Sequence, residues 1–195
     1  IDSIKKLGIK VRIQKNYCEI VGNGINGFKY NKNLTIDAKN SGTLARLILG
    51  LLIKSPKKIK IIGDKSLSKR DFSRVTTPLR KFGVKFSYKI KNKLPLTILG
   101  TQSVKAIKYF ENKGSAQCKS SVMLAALNAS GTTSIKAKKS RNHTELLFKY
   151  LKIPIKVRKA KKFDFIDIKK PKKINAFNYQ IPGDISSSAF FMVLT

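Results

Sequence analysis

Asn40-Ser41-Gly42-Thr43-Leu44-Ala45-Arg46 runs directly into the apolar stretch Leu47-Ile48-Leu49-Gly50-Leu51-Leu52. A small polar residue ahead of an apolar run marks a helix N-terminus, with Ser41 or Asn40 as the N-cap. The pattern returns twice. Gly114-Ser115-Ala116-Gln117-Cys118-Lys119-Ser120-Ser121 opens Val122-Met123-Leu124-Ala125-Ala126-Leu127, and Gly183-Asp184-Ile185-Ser186-Ser187-Ser188-Ala189 opens Phe190-Phe191-Met192-Val193. Recurrence at roughly 70 residues predicts a fold made of copies of one unit. Each copy places hydroxyls, amides and free backbone N–H groups at a helix start, where the helix dipole favours anions.

Working outward, Leu7 to Ile13 alternates and reads as a strand following a helix end. Leu34 to Ala38 is a short strand, and helix one covers about Gly42 to Ile53. Lys58 to Asp64 is a strand that ends in a polar loop. A second helix spans about Phe72 to Phe82, stopped by Gly83, and Val84 to Tyr88 is the next strand. The second copy keeps that order. A helix over Ser115–Asn128 and a strand over Thr132–Ala137 lead to a polar loop at 139–143. A helix over Thr144–Leu151 and a strand over Ile153–Val157 follow. Leu79-Arg80-Lys81-Phe82-Gly83-Val84-Lys85-Phe86 echoes Phe148-Lys149-Tyr150-Leu151-Lys152-Ile153-Pro154-Ile155, and the first residues of the chain echo both. The Lys-rich stretch from Lys156 to Lys173 reads as a solvated surface hairpin.

The 195 residues suffice for one or two domains with a real core. The apolar runs are shorter than the ~18 residues that a spanning helix needs, so no membrane role is expected. Cys18 and Cys118 form no metal-ligand pattern and imply reduced thiols, hence a cytoplasmic protein. The first residue is Ile, and the last residues, Phe190 to Thr195, break off inside a helical pattern. The expectation is a piece of a longer protein. The net charge of +32 has three readings. One is nucleic-acid binding, one is steering of a small anionic substrate, and one is the codon usage of an AT-rich genome. Lys far outnumbers Arg and is dispersed along the chain, which favours the last two and speaks against nucleic acid.

The candidate chemistry sits at the helix starts and in two polar loops. Gly42 and Thr43 open a helix whose N–H groups suit a carboxylate or phosphate, and Arg46, one turn in, braces either the loop or the anion. Arg70, after a strand and before a helix, offers a bidentate guanidinium, although an ion pair with Asp64 or Asp71 is the plainer role. Ser115, Gln117 and Lys119 together suit a phosphorylated polyol, with Ser and Lys on phosphate and Gln on a hydroxyl. Capping by Ser115 is the alternative. Ser140-Arg141-Asn142-His143 is the equivalent polar loop of the second copy, and His143 reads as a capping or bracing residue rather than an acid–base catalyst. No zinc, P-loop or dinucleotide signature is present.

These motifs, in this order, resemble the 3-phosphoshikimate 1-carboxyvinyltransferase (EPSP synthase) family. The matching stretches are Asn40 to Arg46, Gly63 to Arg70, Gly114 to Ser120, Ser140 to Glu145 and Pro182 to Ala189. The resemblance implies an α/β (α+β) fold of repeated βαβαββ units, helices inside and sheets outside, in the manner of an inverse α/β barrel or prism. It implies that residues 1–180 hold most of a first substrate-binding domain, comprising the end of one unit and two further units. Residues 181–195 would begin a second domain. It implies transfer of the enolpyruvyl group of phosphoenolpyruvate to the 5-hydroxyl of shikimate 3-phosphate, with release of phosphate. No metal or cofactor takes part.

By the same resemblance, Asn40, Gly42, Thr43, Arg70 and Gln117 belong to the phosphoenolpyruvate site. Ser115, Ala116, Gln117, Ser140 and Arg141 belong to the shikimate 3-phosphate site. The family's N-terminal Lys-Ser…Arg motif and its catalytic acid–base residues have no counterpart in this chain. The expected partners are small anions only, and the expected state is a monomer. Two alternatives remain: the sister transferase acting on UDP-N-acetylglucosamine, whose loop Cys has no match before Arg70, and a lysine-rich nucleic-acid-binding module.

Overall fold

The computed structural model describes residues 1–25 and 27–183. It opens with helix α1 (Asp2–Lys6) and the hairpin β1 (Lys10–Ile13) and β2 (Cys18–Val21). A complete unit follows: β3 (Leu34–Asp37), α2 (Gly42–Leu51), a 3-10 turn at Leu52–Lys54, β4 (Ile59–Ile62), α3 (Lys65–Lys69), α4 (Ser73–Lys81), β5 (Lys85–Tyr88) and β6 (Leu96–Leu99). The second unit is β7 (Lys108–Glu111), α5 (Ala116–Ala126), β8 (Thr132–Lys138), α6 (His143–Tyr150), β9 (Ile155–Lys159) and β10 (Phe163–Lys169).

The two units share one topology. Their sheets run β3-β4-β6-β5 and β7-β8-β10-β9. In each, the first pair is parallel and the other two pairs are antiparallel. The expected βαβαββ repeat is therefore present, with α3 as an extra turn in the first copy. The sheets are open, and no closed barrel forms among the described residues. Alternation of side chains along each strand explains which face is wet. On β8, Thr133, Ile135 and Ala137 point inward and are buried, and on β10 Asp164, Ile166 and Ile168 do the same. The Lys156–Lys173 stretch does contain a hairpin, β9–β10, but it is not purely solvated: β10 is an interior strand of its sheet and buries Asp164, Ile166 and Ile168.

Helices lie against the inner faces. In α5 every residue from Cys118 to Met123 is buried, the mark of a helix surrounded on all sides. Its closest neighbour is α2, through a bare glycine: a Cβ placed on Gly50 would stand 2.1 Å from the Ser121 carbonyl oxygen. One continuous core runs from Ile36 and Leu49 through Phe72, Leu79 and Phe82 to Val122, Ile135, Phe148 and Ile166. None of the described helices is long and apolar enough to cross a membrane.

The helix-to-strand echo has a backbone cause. Gly8, Gly83 and Lys152 each follow a helix end and precede a strand, and all three have positive φ (80°, 104° and 54°). The chain reverses at the same point in each copy by a left-handed residue, which glycine supplies freely and lysine at a cost of about 1 kcal/mol. The strand expected at Leu7 to Ile13 consequently begins only at Lys10, with Leu7 closing α1 as a buried cap. The polar loop expected after β4 winds into α3, because Asp64 accepts the Leu67 N–H (2.7 Å) and so caps a helical turn.

Candidate functional site

Both described helix starts are capped as the sequence indicates. Leu44 N–H donates to Ser41 Oγ (3.1 Å) at α2, and Cys118 N–H donates to Ser115 Oγ (3.3 Å) at α5. The third copy, from Asp184 onward, lies outside the described residues. The two starts are neighbours in space. Gln117 Nε2 donates to Thr43 Oγ1 (2.7 Å), and Arg46 Nη1 donates to Gln117 Oε1 (3.0 Å). Ser121 Oγ donates to the Arg46 carbonyl (2.8 Å), and the Arg46 guanidinium lies 5.3 Å from the centre of the Phe72 ring. Arg46 is therefore a strut between α2 and α5.

Gly42 sits under two guanidinium groups. A Cβ there would meet Arg46 Nη1 at 2.6 Å and Arg70 Nη1 at 3.2 Å. Neither arginine belongs to an ion pair among the described residues, so the plainer role of Arg70 as a partner of Asp64 or Asp71 is not observed. Burial pulls the Arg46 guanidinium below its ordinary pKa, and the charges of Arg70 and Arg74 push the same way. Cationic groups crowded at a helix N-terminus and not ion-paired among the described residues suit an anion.

Asn40 takes a supporting role. Its Nδ2 donates to Asp64 Oδ2, which pins the Lys39–Ser41 turn to the start of α3. Hydrogen bonds from Asn40 and from the Leu67 N–H hold the Asp64 carboxyl below the usual carboxylate range. A depressed folded-state pKa means stability that is present above the unfolded value of about 3.9 and lost as pH falls through the folded value. In a Tm-versus-pH series the Asp64→Asn variant should be less sensitive than the parent to acid between about pH 5 and 2. Identical acid limbs would contradict this.

At α5 the decisive residue is one the sequence reading passed over. Glu111, at the end of β7, is 3% exposed. Its carboxylate accepts Ser115 N–H (2.9 Å) and Lys113 N–H (3.2 Å) and pairs with Arg74 (3.5 Å). It thereby shapes the turn that presents Ser115, Ala116 and Gln117. Glu111→Ala would leave two N–H groups and a cation without their acceptor, so we expect a loss of about 2–3 kcal/mol in chemical denaturation. A loss below about 0.5 kcal/mol would contradict that role. The signal was present in the sequence as an acidic residue just before a Gly-Ser helix start in an otherwise basic chain. The nearby Tyr109 phenol is raised above its ordinary pKa by burial, then by Cys118 and Glu111.

The second polar loop lies against this turn, since a Cβ on Gly114 would be 3.4 Å from the Lys139 carbonyl. Ser140 Oγ is buried without a hydrogen-bond partner among the described residues, and Arg141 is exposed. His143 is the first residue of α6, exposed and not its cap, and its imidazole makes no hydrogen bond to the described residues. Lys119 corrects the sequence reading most sharply. It is 0% exposed, its Nζ lies 2.6 Å from Glu145 Oε1, and it donates to the Arg141 carbonyl (3.0 Å). An ammonium that is fully buried and held by two protein acceptors presents no exposed face to a phosphate.

A concavity of about 690 Å³ lies on the outer face of the second sheet among Lys108, Phe110, Lys136 and Arg158, and none of the candidate residues lines it. Among the described residues, no group of three His, Cys, Asp or Glu side chains is placed to hold a metal.

A repeated βαβαββ frame, with helices inside and two adjoining helix starts flanked by arginines, defines the enolpyruvyl transferase-like class. Within it, the chain belongs to the EPSP synthase (3-phosphoshikimate 1-carboxyvinyltransferase) family, whose model matches residues 1–195. It is 37% identical over 194 residues to the 3-phosphoshikimate 1-carboxyvinyltransferase of Bacillus subtilis (strain 168), covering 98% of this chain and 44% of that protein. It is 42% identical over 195 residues to the enzyme of Ruthia magnifica, covering 99% and 43%. The solved EPSP synthase from Acinetobacter baumannii superposes with a TM-score of 0.86 at 34% identity, covering 98% of this chain and 43% of that one. The chain thus spans less than half the length of these relatives.

Proposed function

We propose that this chain supplies one substrate-binding face of an enzyme that transfers the enolpyruvyl group of phosphoenolpyruvate to the 5-hydroxyl of shikimate 3-phosphate, releasing phosphate. Residues 1–180 form most of the first domain, and 181–195 begin the second. The observation that carries the reading is the Arg46–Gln117–Thr43 bridge, which joins the two helix starts beside two arginines that form no ion pair among the described residues.

In this reading Gly42, Thr43 and Arg70 receive phosphoenolpyruvate, with Asn40 holding their loop. Ser115, Ala116, Ser140 and Arg141 receive shikimate 3-phosphate, and Gln117 stands between the two ligands. The backbone N–H groups of α2 and the Arg70 fork hold charge on the phosphoenolpyruvate carboxylate and phosphate. The residues that move protons belong to the part of the enzyme that closes over this face, and closure excludes water from the reaction. The protein works in the cytoplasm as a monomer, and its ligands are small anions rather than nucleic acid.

The test is calorimetric titration of the chain with shikimate 3-phosphate, phosphoenolpyruvate and UDP-N-acetylglucosamine. Heat with the first, enhanced by the second and absent with the third, is the expected result. Binding of the UDP sugar alone would overturn the reading in favour of the sister enzyme. Salt-sensitive retention of an oligonucleotide with no response to shikimate 3-phosphate would overturn it in favour of a nucleic-acid module.

A further inference from the structure

Lys119 and Glu145 are a buried ion pair in a helical core that has apolar residues to spare. Lys119 is 0% and Glu145 4% exposed, yet they lie on different helices and meet at 2.6 Å. Taking two charges out of water generally costs more than their attraction returns, and an apolar pair of similar volume is often as stable or more so. Here the pair is not even fully satisfied, because Glu145 Oε2 is buried with no hydrogen-bond partner among the described residues. Stability alone therefore does not account for it.

Geometry does. An ammonium carries three donors. Lys119 directs one to Glu145, in the first turn of α6, and one to the carbonyl of Arg141, in the loop before α6 (3.0 Å). Ser120, the next residue, shares a hydrogen bond with Thr144 (2.7 Å). The start of α5 thus reaches across to both the loop and the start of α6. The tie holds the backbone of Arg141, next to Ser140, whose Oγ is buried without a hydrogen-bond partner among the described residues.

We propose that Lys119 and Glu145 are positioning residues for shikimate 3-phosphate. They fix the 140–142 loop against the α5 N-terminus so that Ser140 and Arg141 meet the ligand already in place. The proposal rests on the functional reading above. An ordered loop raises affinity because its ordering cost is met before the ligand arrives.

The test compares Lys119→Met, Glu145→Gln and the double variant Lys119→Met/Glu145→Leu in the full chain. Thermal melting and calorimetric affinities for shikimate 3-phosphate and for phosphoenolpyruvate are measured on each. Each single variant should melt lower than the parent. The double variant, with no charge left buried, should recover the parent's melting temperature while its affinity for shikimate 3-phosphate stays about tenfold weaker. Its affinity for phosphoenolpyruvate should be unchanged within about twofold. A double variant that binds shikimate 3-phosphate as tightly as the parent would reduce the pair to a structural device and overturn the proposal.

If the parent binds no shikimate 3-phosphate, the functional reading fails first, and amide exchange then judges the pair. Faster exchange at 142–144 in the double variant, with the amides of 43–46 unaltered, would retain the clamp. Unaltered exchange at 142–144 would discard it.

Discussion

On the reading proposed above, Arg70→Ala is expected to weaken phosphoenolpyruvate binding about 100-fold while leaving the fold intact. Arg70 closes α3 through its backbone, with its N–H donating to the Leu67 carbonyl (3.1 Å), and that bond survives the substitution. Its guanidinium reaches the space over Gly42 and takes part in no ion pair among the described residues. Little stability is therefore lost, and the melting temperature should move by less than about 2 °C. A bidentate, charge-assisted contact to a carboxylate or phosphate is worth about 3 kcal/mol, so affinity should fall about 100-fold. Arg70→Lys keeps the charge and loses the fork, and should recover only part of the loss. Calorimetry on the three proteins checks this. Wild-type affinity in the alanine variant would remove Arg70 from the site.

Gly50→Ala is the opposite case, a large effect on stability from one methyl. Alanine is the better helix former by about 1 kcal/mol, so propensity alone predicts a gain. Packing reverses the sign. The added Cβ would stand 2.1 Å from the carbonyl oxygen of Ser121, 2.9 Å from its carbon and 3.1 Å from its Cα. All three are backbone atoms of the central helix, so no side chain can swing aside. The α2–α5 pair must separate, and the net loss should be about 3 kcal/mol. For a chain of this size that lowers the melting temperature by about 6–12 °C. Separation also stretches the Arg46–Gln117 and Ser121–Arg46 hydrogen bonds, so anion affinity should fall with stability, unlike in Arg70→Ala. An unchanged melting temperature would mean that the two helices are not packed as closely as described.

The recurring Ser/Gly-rich starts predicted α2 and α5, and their caps are the predicted serines. The echo of Leu79–Phe86 with Phe148–Ile155 predicted a repeated helix-to-strand reversal, and a left-handed residue stands at the same place in each copy. Gly42, Arg70 and Gln117 were singled out, and they are neighbours in space. The misses share one cause. Lys119 was assigned to phosphate because it lies in the early turns of a polar helix start, and nothing in its own neighbourhood shows that its side chain turns inward to Glu145. Glu111 escapes a motif reading because its partners, the N–H groups of Lys113 and Ser115 and the guanidinium of Arg74, are set by the turn and the packing rather than by a side-chain pattern. Arg46 was left between two roles, and only the position of Gln117 settles it as a strut.

Sequence by itself determined the repeating unit, the helix starts and the reversals. Caps, glycine reversals and hydrophobic period act between residues a few positions apart, and every chain with that local pattern meets the same constraints. The tertiary structure decided which polar groups are consumed and which remain available to a ligand. A lysine becomes a buried clamp or a ligand contact, and a glutamate a surface charge or the anchor of a turn. Which of these it becomes depends on what residues distant in the chain bring within 3 Å, and on how much water they exclude while doing so.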